Sequence, residues 1–220
     1  MKERPVIFNG EMVRAILDGR KTQTRRVIKN QRMGDCWSVK PAKSPLYERH
    51  SHDWWLPTGT KPYSALPVCP LGQEGDRLWV RETFMDLTGT GIEATTGKFE
   101  GFAYRADTPA GSYGDEVRKE YGLKWTPSLH MPRKACRILL EITAVRVERL
   151  NDISQEDAQA EGMELTGWVP SYSNPDNAGF DETLTPYDNF AMLWESIYGE
   201  ESWGANPWVW VIEFCRVGDA

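Results

Sequence analysis

Apolar residues Met12, Val13, Ile16 and Leu17 recur at three-to-four spacing, the mark of one helical face. Asn9 stands where an N-cap belongs and Gly19 where a left-handed stop belongs, so the pattern predicts a helix between them. Ahead of it RPVIFN reads as a short strand, and after it the β-branched TQTRRVI reads as another. GDRLWVRETF and EGFAYRAD give two further strands. In ACRILLEITAVRVERL, Ile138, Leu140 and Ile142 alternate on one face, and then Val145 and Val147 take the opposite parity. That change of phase near Ala144 predicts a bulge or sharp bend, as where a sheet curls. SQEDAQAEGM predicts a short helix, with Ser154 and Asp157 as a capping box and Gly162 as its stop. A helix from Pro186 should carry Phe190, Leu193, Trp194 and Ile197 on one side. The closing NPWVWVIEFCRV sets Trp208, Trp210, Ile212 and Phe214 against Val209 and Val211, so it should be an interior strand buried on both faces.

Residues 30–73 and 164–186 show no sustained period and read as insertions with local structure only. Neither an internal repeat nor a dividing linker is evident. The expectation is one α+β domain over residues 1–220, built on a curled, mainly antiparallel sheet.

Composition, 40% hydrophobic and 26% charged, fits a soluble globular chain. No apolar run reaches the roughly 18 residues of a membrane span, and MKERPVIFNG lacks the apolar core of a signal peptide. A cytoplasmic protein with no membrane partner is expected. Cys36, Cys69, Cys136 and Cys215 are scattered without a CxxC pair and read as reduced structural thiols. His50, His52 and Asp53 could approach a metal, but no further ligand follows at a recognisable spacing, so neither metal nor cofactor is expected.

Charge changes the picture more. Residues 1–40 hold ten Lys and Arg against four Asp and Glu, a surplus of +6 in a chain of net −6, so the rest carries −12. From Asn151 to Cys215 there is no Lys or Arg. A basic feature on an acidic body suits a nucleotide or a short single strand better than a long duplex. The surplus peaks in GRKTQTRR, where Arg20, Lys21, Arg25 and Arg26 surround Thr22 and Thr24. Arg20 and Lys21 could merely complement the negative end of the preceding helix, worth about 0.3–1 kcal/mol. Alternatively, the cluster serves something anionic, or something to be deprotonated, at that spot, and like charges nearby lower the pKa of Lys21.

AILDGRKTQTRR, LNDISQEDAQAEGM and ESIYGEESWGANPWVWVIEF occur in an order that resembles the ASCH domain superfamily, in particular its longer phage and prophage members. The resemblance implies a PUA-like β-barrel. In the small enzymes of that superfamily, similar to N(4)-acetylcytidine amidohydrolases, a lysine, a threonine and a glutamate do the chemistry. Carried onto this sequence, Thr24 becomes the nucleophile, Lys21 its proton acceptor and Glu161 the proton donor. The implied function is hydrolysis of an acylated cytidine or related modified nucleoside; the alternatives are a noncatalytic RNA-binding module or a ribonuclease acting on single-stranded RNA. Gln23 and Arg25 replace apolar residues of the small enzymes, which makes the pocket more cationic and a phosphorylated substrate plausible.

Arg20, Thr22, Arg25 and Arg26 are the expected substrate contacts around that motif. His130 and Arg133 are candidates for a phosphate or base, Arg81 and Glu82 for a buried ion pair lining a barrel, and Trp37, Trp79 or Trp125 for base stacking. Lys21 and Thr24 have opposite strand parity, so Lys21 should lie in the turn and Thr24 in the strand, facing inward with Thr22. Glu161 sits at a helix end, where the negative dipole should raise its pKa.

Overall fold

The computed structural model describes residues 1–32, 34, 36–91, 101–163 and 185–218. In chain order the strands and helices are β1 (Glu3–Ile7), α1 (Gly10–Leu17), β2 (Gln23–Val27), β3 (Ser38–Pro41), β4 (His52–Trp55), β5 (Ser64–Ala65), β6 (Arg77–Arg81), β7 (Phe84–Asp86) and β8 (Phe102–Tyr104). There follow α2 (Tyr113–Glu120), β9 (Leu139–Arg149), α3 (Gln155–Ala160), α4 (Pro186–Tyr198) and β10 (Trp208–Arg216).

The fold is α+β. Its main sheet has five strands in the order β1-β6-β9-β10-β2. β1 and β6 run parallel, and every other neighbour in that sheet is antiparallel. β9 and β10 dominate because both are long and apolar. β10 is buried on both faces, as its double pattern predicts: Trp210, Ile212 and Phe214 join Phe8, Val13, Ile16 and Leu140 in one core, while Val209 and Val211 join Leu150, Ala158, Phe190 and Trp194 in another. The first core lies under α1 and the second under α3 and α4.

The phase change in β9 is a bulge. Glu213 pairs with Ala144 but Phe214 pairs with Ile142, so Thr143 has no partner on β10. The extra residue lets Val145 and Val147 pack against the same core as Ile142 despite their parity. The ladders leave β1 and β2 as the two edges, with no closed barrel among the described residues. The edges nevertheless approach: Arg26 of β2 donates to the Ile7 carbonyl of β1 at 3.3 Å, and its guanidinium lies 5.5 Å from the Phe8 ring centroid.

Helix α1 forms where predicted. The Asn9 side chain accepts from the Met12 amide at 2.8 Å, and Gly19 takes φ 76°, a left-handed stop that favours glycine. In α3, Ser154 caps the Asp157 amide at 3.0 Å, yet the return half of the expected box is lost because the Asp157 carboxylate is engaged by basic and amide side chains elsewhere. A complete box instead opens α4, between Thr185 and Asp188. Phe190 and Trp194 of α4 face the core as predicted, but Ile197 is exposed, because the chain leaves the sheet before that turn.

Of the expected insertions, 30–73 carries the small sheet β3-β4-β5; residues 164–184 of the second lie outside the described residues. α2 was not evident in the sequence. Val117 is its one aliphatic residue beyond glycine, and it is held by the Ser112 cap and by Asp115 pairing with Arg118 and Lys119 at 2.8 and 2.9 Å. No described helix is long and apolar enough to cross a membrane.

Candidate functional site

Gly19 turns the chain back on α1, and the amides of Arg20 and Lys21 both donate to the Ala15 carbonyl, at 2.8 and 2.9 Å. This tight turn delivers Lys21 to the end of α3, where it forms an isolated antiparallel bridge with Glu161. The Thr22 amide extends that contact by donating to the Ala160 carbonyl at 2.8 Å. Lys21 therefore precedes the regular strand, as parity requires.

The bridge brings together side chains 140 residues apart. Lys21 Nζ donates to Glu161 Oε2 at 2.6 Å and to the Glu161 carbonyl at 2.8 Å. Both residues are buried, at 2% and 3% exposure. Burial is the largest influence on Lys21 and outweighs the attraction of Glu161; Arg26 and Arg25 add repulsion, and the ammonium pKa falls below its ordinary value. The sequence argument had the direction right but relied on neighbouring cations, whereas desolvation leads. Arg20 contributes through packing of the turn, with its guanidinium on Asp18 at 3.0 Å and the Gly162 carbonyl at 3.1 Å.

On the opposite face of β2 lies a denser network. Arg25 is 1% exposed and reaches Asp157 at 2.9 Å, Glu148 at 3.3 Å and Glu161 Oε1 at 3.3 Å. Gln23 donates to the Asp157 carbonyl and carboxylate, both at 2.9 Å. Arg146 closes the group on Asp157 at 2.6 Å and on Glu148 and Glu213. Burial would raise the Asp157 pKa, but the Gln23 hydrogen bond and the charges of Arg146 and Arg25 outweigh it and hold the carboxyl below its usual range. Arg25 is committed to these carboxylates, which fixes Glu161 from the side opposite Lys21. Asp157, Glu148, Arg146 and Glu213 were missed because their mutual approach depends on the register of β2, β9 and β10.

Thr24 lies in β2 opposite Ile212 and is 1% exposed. It shares a face with Arg26, whose guanidinium stands over the Phe8 ring; Lys21 Nζ lies 5.6 Å from the centroid of that same ring. The three side chains thus point to one side of the sheet. The Thr24 hydroxyl makes no hydrogen bond among the described residues. Thr22 does not face inward with it, contrary to expectation: it precedes the strand and is exposed, and its carbonyl instead accepts from Phe214 N at 2.8 Å. A cavity of about 260 Å³ opens beside Lys21 and Thr22, walled by Ile16, Leu140, Phe214 and Arg216.

The remaining candidates lie outside this group. Glu82 is buried but pairs with Arg137, at 2.8 and 2.9 Å, and not with Arg81. Glu82 lies just past the end of β6 and its carboxylate is taken up by Arg137, so the expected pair does not form. Arg137 also holds Asp107 and lies 4.0 Å from the Tyr104 centroid; burial pushes the Tyr104 hydroxyl up to about 12. Arg81 stands over Trp79 at 5.5 Å. His130 is exposed, and Arg133 pairs with Glu3 at 3.1 Å on the surface. Trp125 packs beside Leu87 and Ala103 under the Arg118 guanidinium. His50 spends Nδ1 on the Leu46 amide at 2.9 Å and Nε2 on Asp53 at 2.8 Å. No group of three or more potential metal ligands occurs among the described residues.

The site thus joins a buried lysine of lowered pKa to a glutamate, with a strand threonine, whose hydroxyl makes no hydrogen bond among the described residues, on the same side of the sheet as the lysine. No family model, curated protein or solved structure matches the chain.

Proposed function

We propose that the protein is a hydrolase that removes the acyl group from an acylated cytidine or related modified nucleoside, with Thr24 as nucleophile, Lys21 as proton acceptor and Glu161 as proton donor. The observation that carries the reading is the 2.6 Å contact of Lys21 Nζ with Glu161 in a buried setting beside the face bearing Thr24. A threonine hydroxyl needs a base, and a lysine serves as one only when neutral, which burial favours here. In the first step the Thr24 oxygen bonds to the acyl carbon while its proton passes to neutral Lys21. The C–N bond then breaks and the proton of the Lys21–Glu161 pair goes, through Glu161, to the departing nitrogen. Water hydrolyses the resulting ester, releasing a carboxylate and restoring Thr24. A PUA-like curl belongs to the same proposal, and the approach of the two sheet edges through Arg26 supports it.

The test is incubation of the protein with N(4)-acetylcytidine and, separately, with single-stranded RNA, both followed by chromatography. Release of cytidine with intact RNA is the expected result. RNA cleavage without cytidine release means a ribonuclease. RNA retention without either product, weakening steeply with salt, means a noncatalytic reader.

A further inference from the structure

A second cavity, of about 600 Å³, lies between the turn after β2 and the β3-β4-β5 sheet, with Asn30, Gln31, Arg32, Trp37, Tyr47 and Trp54 among its walls. It shares no lining residue with the cavity beside Lys21. The turn is set by Asn30, at φ 54°, a left-handed conformation that asparagine tolerates. It is fastened by Gln31, whose amide donates to the Ile28 carbonyl at 3.1 Å and accepts from Trp208 N at 2.7 Å.

Arg32 is the one charged residue among the described lining residues, in a chain of net −6. Its guanidinium lies 5.1 Å from the Trp37 centroid and 4.6 Å from the Tyr63 centroid, in the corner of two rings 5.0 Å apart and inclined by 74°. Stacking of this kind covers a face of the guanidinium and leaves its in-plane N–H groups for other acceptors. None of them meets an acceptor or a carboxylate among the described residues. The result is an oriented fork with its donors unspent, suited to a phosphate. Beside it, Tyr47 is stacked on His50 with centroids 5.1 Å apart, and its hydroxyl is tied to the Leu66 carbonyl at 3.2 Å. That ring is held in place yet 45% exposed, and so offers a flat platform for a planar ligand.

We propose that this cavity binds a nucleoside monophosphate, with the phosphate on Arg32 and the base against the aromatic wall of Tyr47 and Trp37. The volume suits such a ligand. A free nucleotide and one nucleotide of a single strand present the same chemistry. The site is independent of the hydrolase reading, since it uses none of Lys21, Thr24 or Glu161.

Adenosine 5′-monophosphate, adenosine, inorganic phosphate and an oligoadenylate are titrated into wild-type protein and Arg32→Gln, observing the Trp37 indole N–H resonance assigned through Trp37→Phe. Saturable binding of the monophosphate that shifts this resonance is expected, with adenosine and phosphate each weaker by about tenfold or more. Arg32→Gln should weaken the monophosphate by about tenfold or more while leaving adenosine unchanged. Tighter binding of the oligoadenylate assigns the site to a strand, and equal or weaker binding assigns it to a free nucleotide. No shift of Trp37 with either phosphorylated ligand overturns the proposal, as does a shift that Arg32→Gln leaves intact. Should Arg32→Gln fail to fold, Arg32→Lys keeps the charge without the fork, and the wild-type titration still decides.

Discussion

Lys21, Thr24 and Glu161 differ in what their removal costs. Thr24→Val deletes a hydroxyl that bonds to nothing among the described residues, so stability should change by less than about 0.5 kcal/mol while turnover of an acylated cytidine is abolished. Calorimetry and product chromatography on one preparation check both halves. Lys21→Met is different, because it leaves the 3%-exposed Glu161 without its closest cation. Breaking a buried pair from one side costs about 3–5 kcal/mol, and the Arg25 contact at 3.3 Å should hold the loss near the lower end. The double variant Lys21→Met, Glu161→Gln removes both charges and should recover much of that stability without recovering activity, a non-additivity readable by urea denaturation. Recovery of activity in the double variant would contradict the assigned roles.

At the scale of elements, β2 and α3 are joined through side chains as well as by the Lys21 bridge. Arg25 faces Asp157 of α3, Glu148 of β9 and Glu161 at the end of α3. Arg25→Met removes one cation from each carboxylate but leaves Asp157 with Gln23 and Arg146, Glu148 with Arg146 and Glu161 with Lys21. It should therefore cost about 1–3 kcal/mol; a loss under about 0.5 kcal/mol in urea denaturation would mean that the network relaxes into water. The elements around the main sheet were legible, whereas α2 and β3-β5 were not. Asn9 and Gly19 bound α1, and the parity change near Ala144 located the bulge, because caps and periodicity are written into neighbouring residues. What pairs across strands was not legible. Glu82 was assigned to Arg81 by proximity in the chain, whereas the fold supplies Arg137 from 55 residues away. The Arg25 network was likewise invisible, because Glu148, Asp157 and Glu213 meet it only through the β2-β10-β9 register. Lys21 with Glu161 was reached through resemblance, not through spacing.

Over the whole molecule, acid should expose the network's role. The Asp157 carboxyl is held below its usual range, so the unfolded chain binds its proton first as pH falls. The stabilisation is complete above the ordinary carboxylate value of about 3.9 and is lost as pH drops through the depressed folded value. The stability difference between wild type and Asp157→Asn should thus be constant near neutrality and shrink below about pH 4 in chemical denaturation at stepped pH; a difference that stays constant into acid would show that the charge is not what Asp157 contributes. The proposed function rests on the turn after α1, on β2 and on the end of α3, which carry Lys21, Thr24 and Glu161, with Lys21 lining the cavity. The most direct measurement is intact-mass spectrometry of protein quenched in acid during reaction with N(4)-acetylcytidine, with proteolytic mapping of any adduct. The proposal predicts one added acetyl group on wild-type protein, mapped to Thr24 and absent from Thr24→Val. Cytidine release with undiminished rate from Thr24→Val, or an acetyl group mapped to another residue, would contradict it.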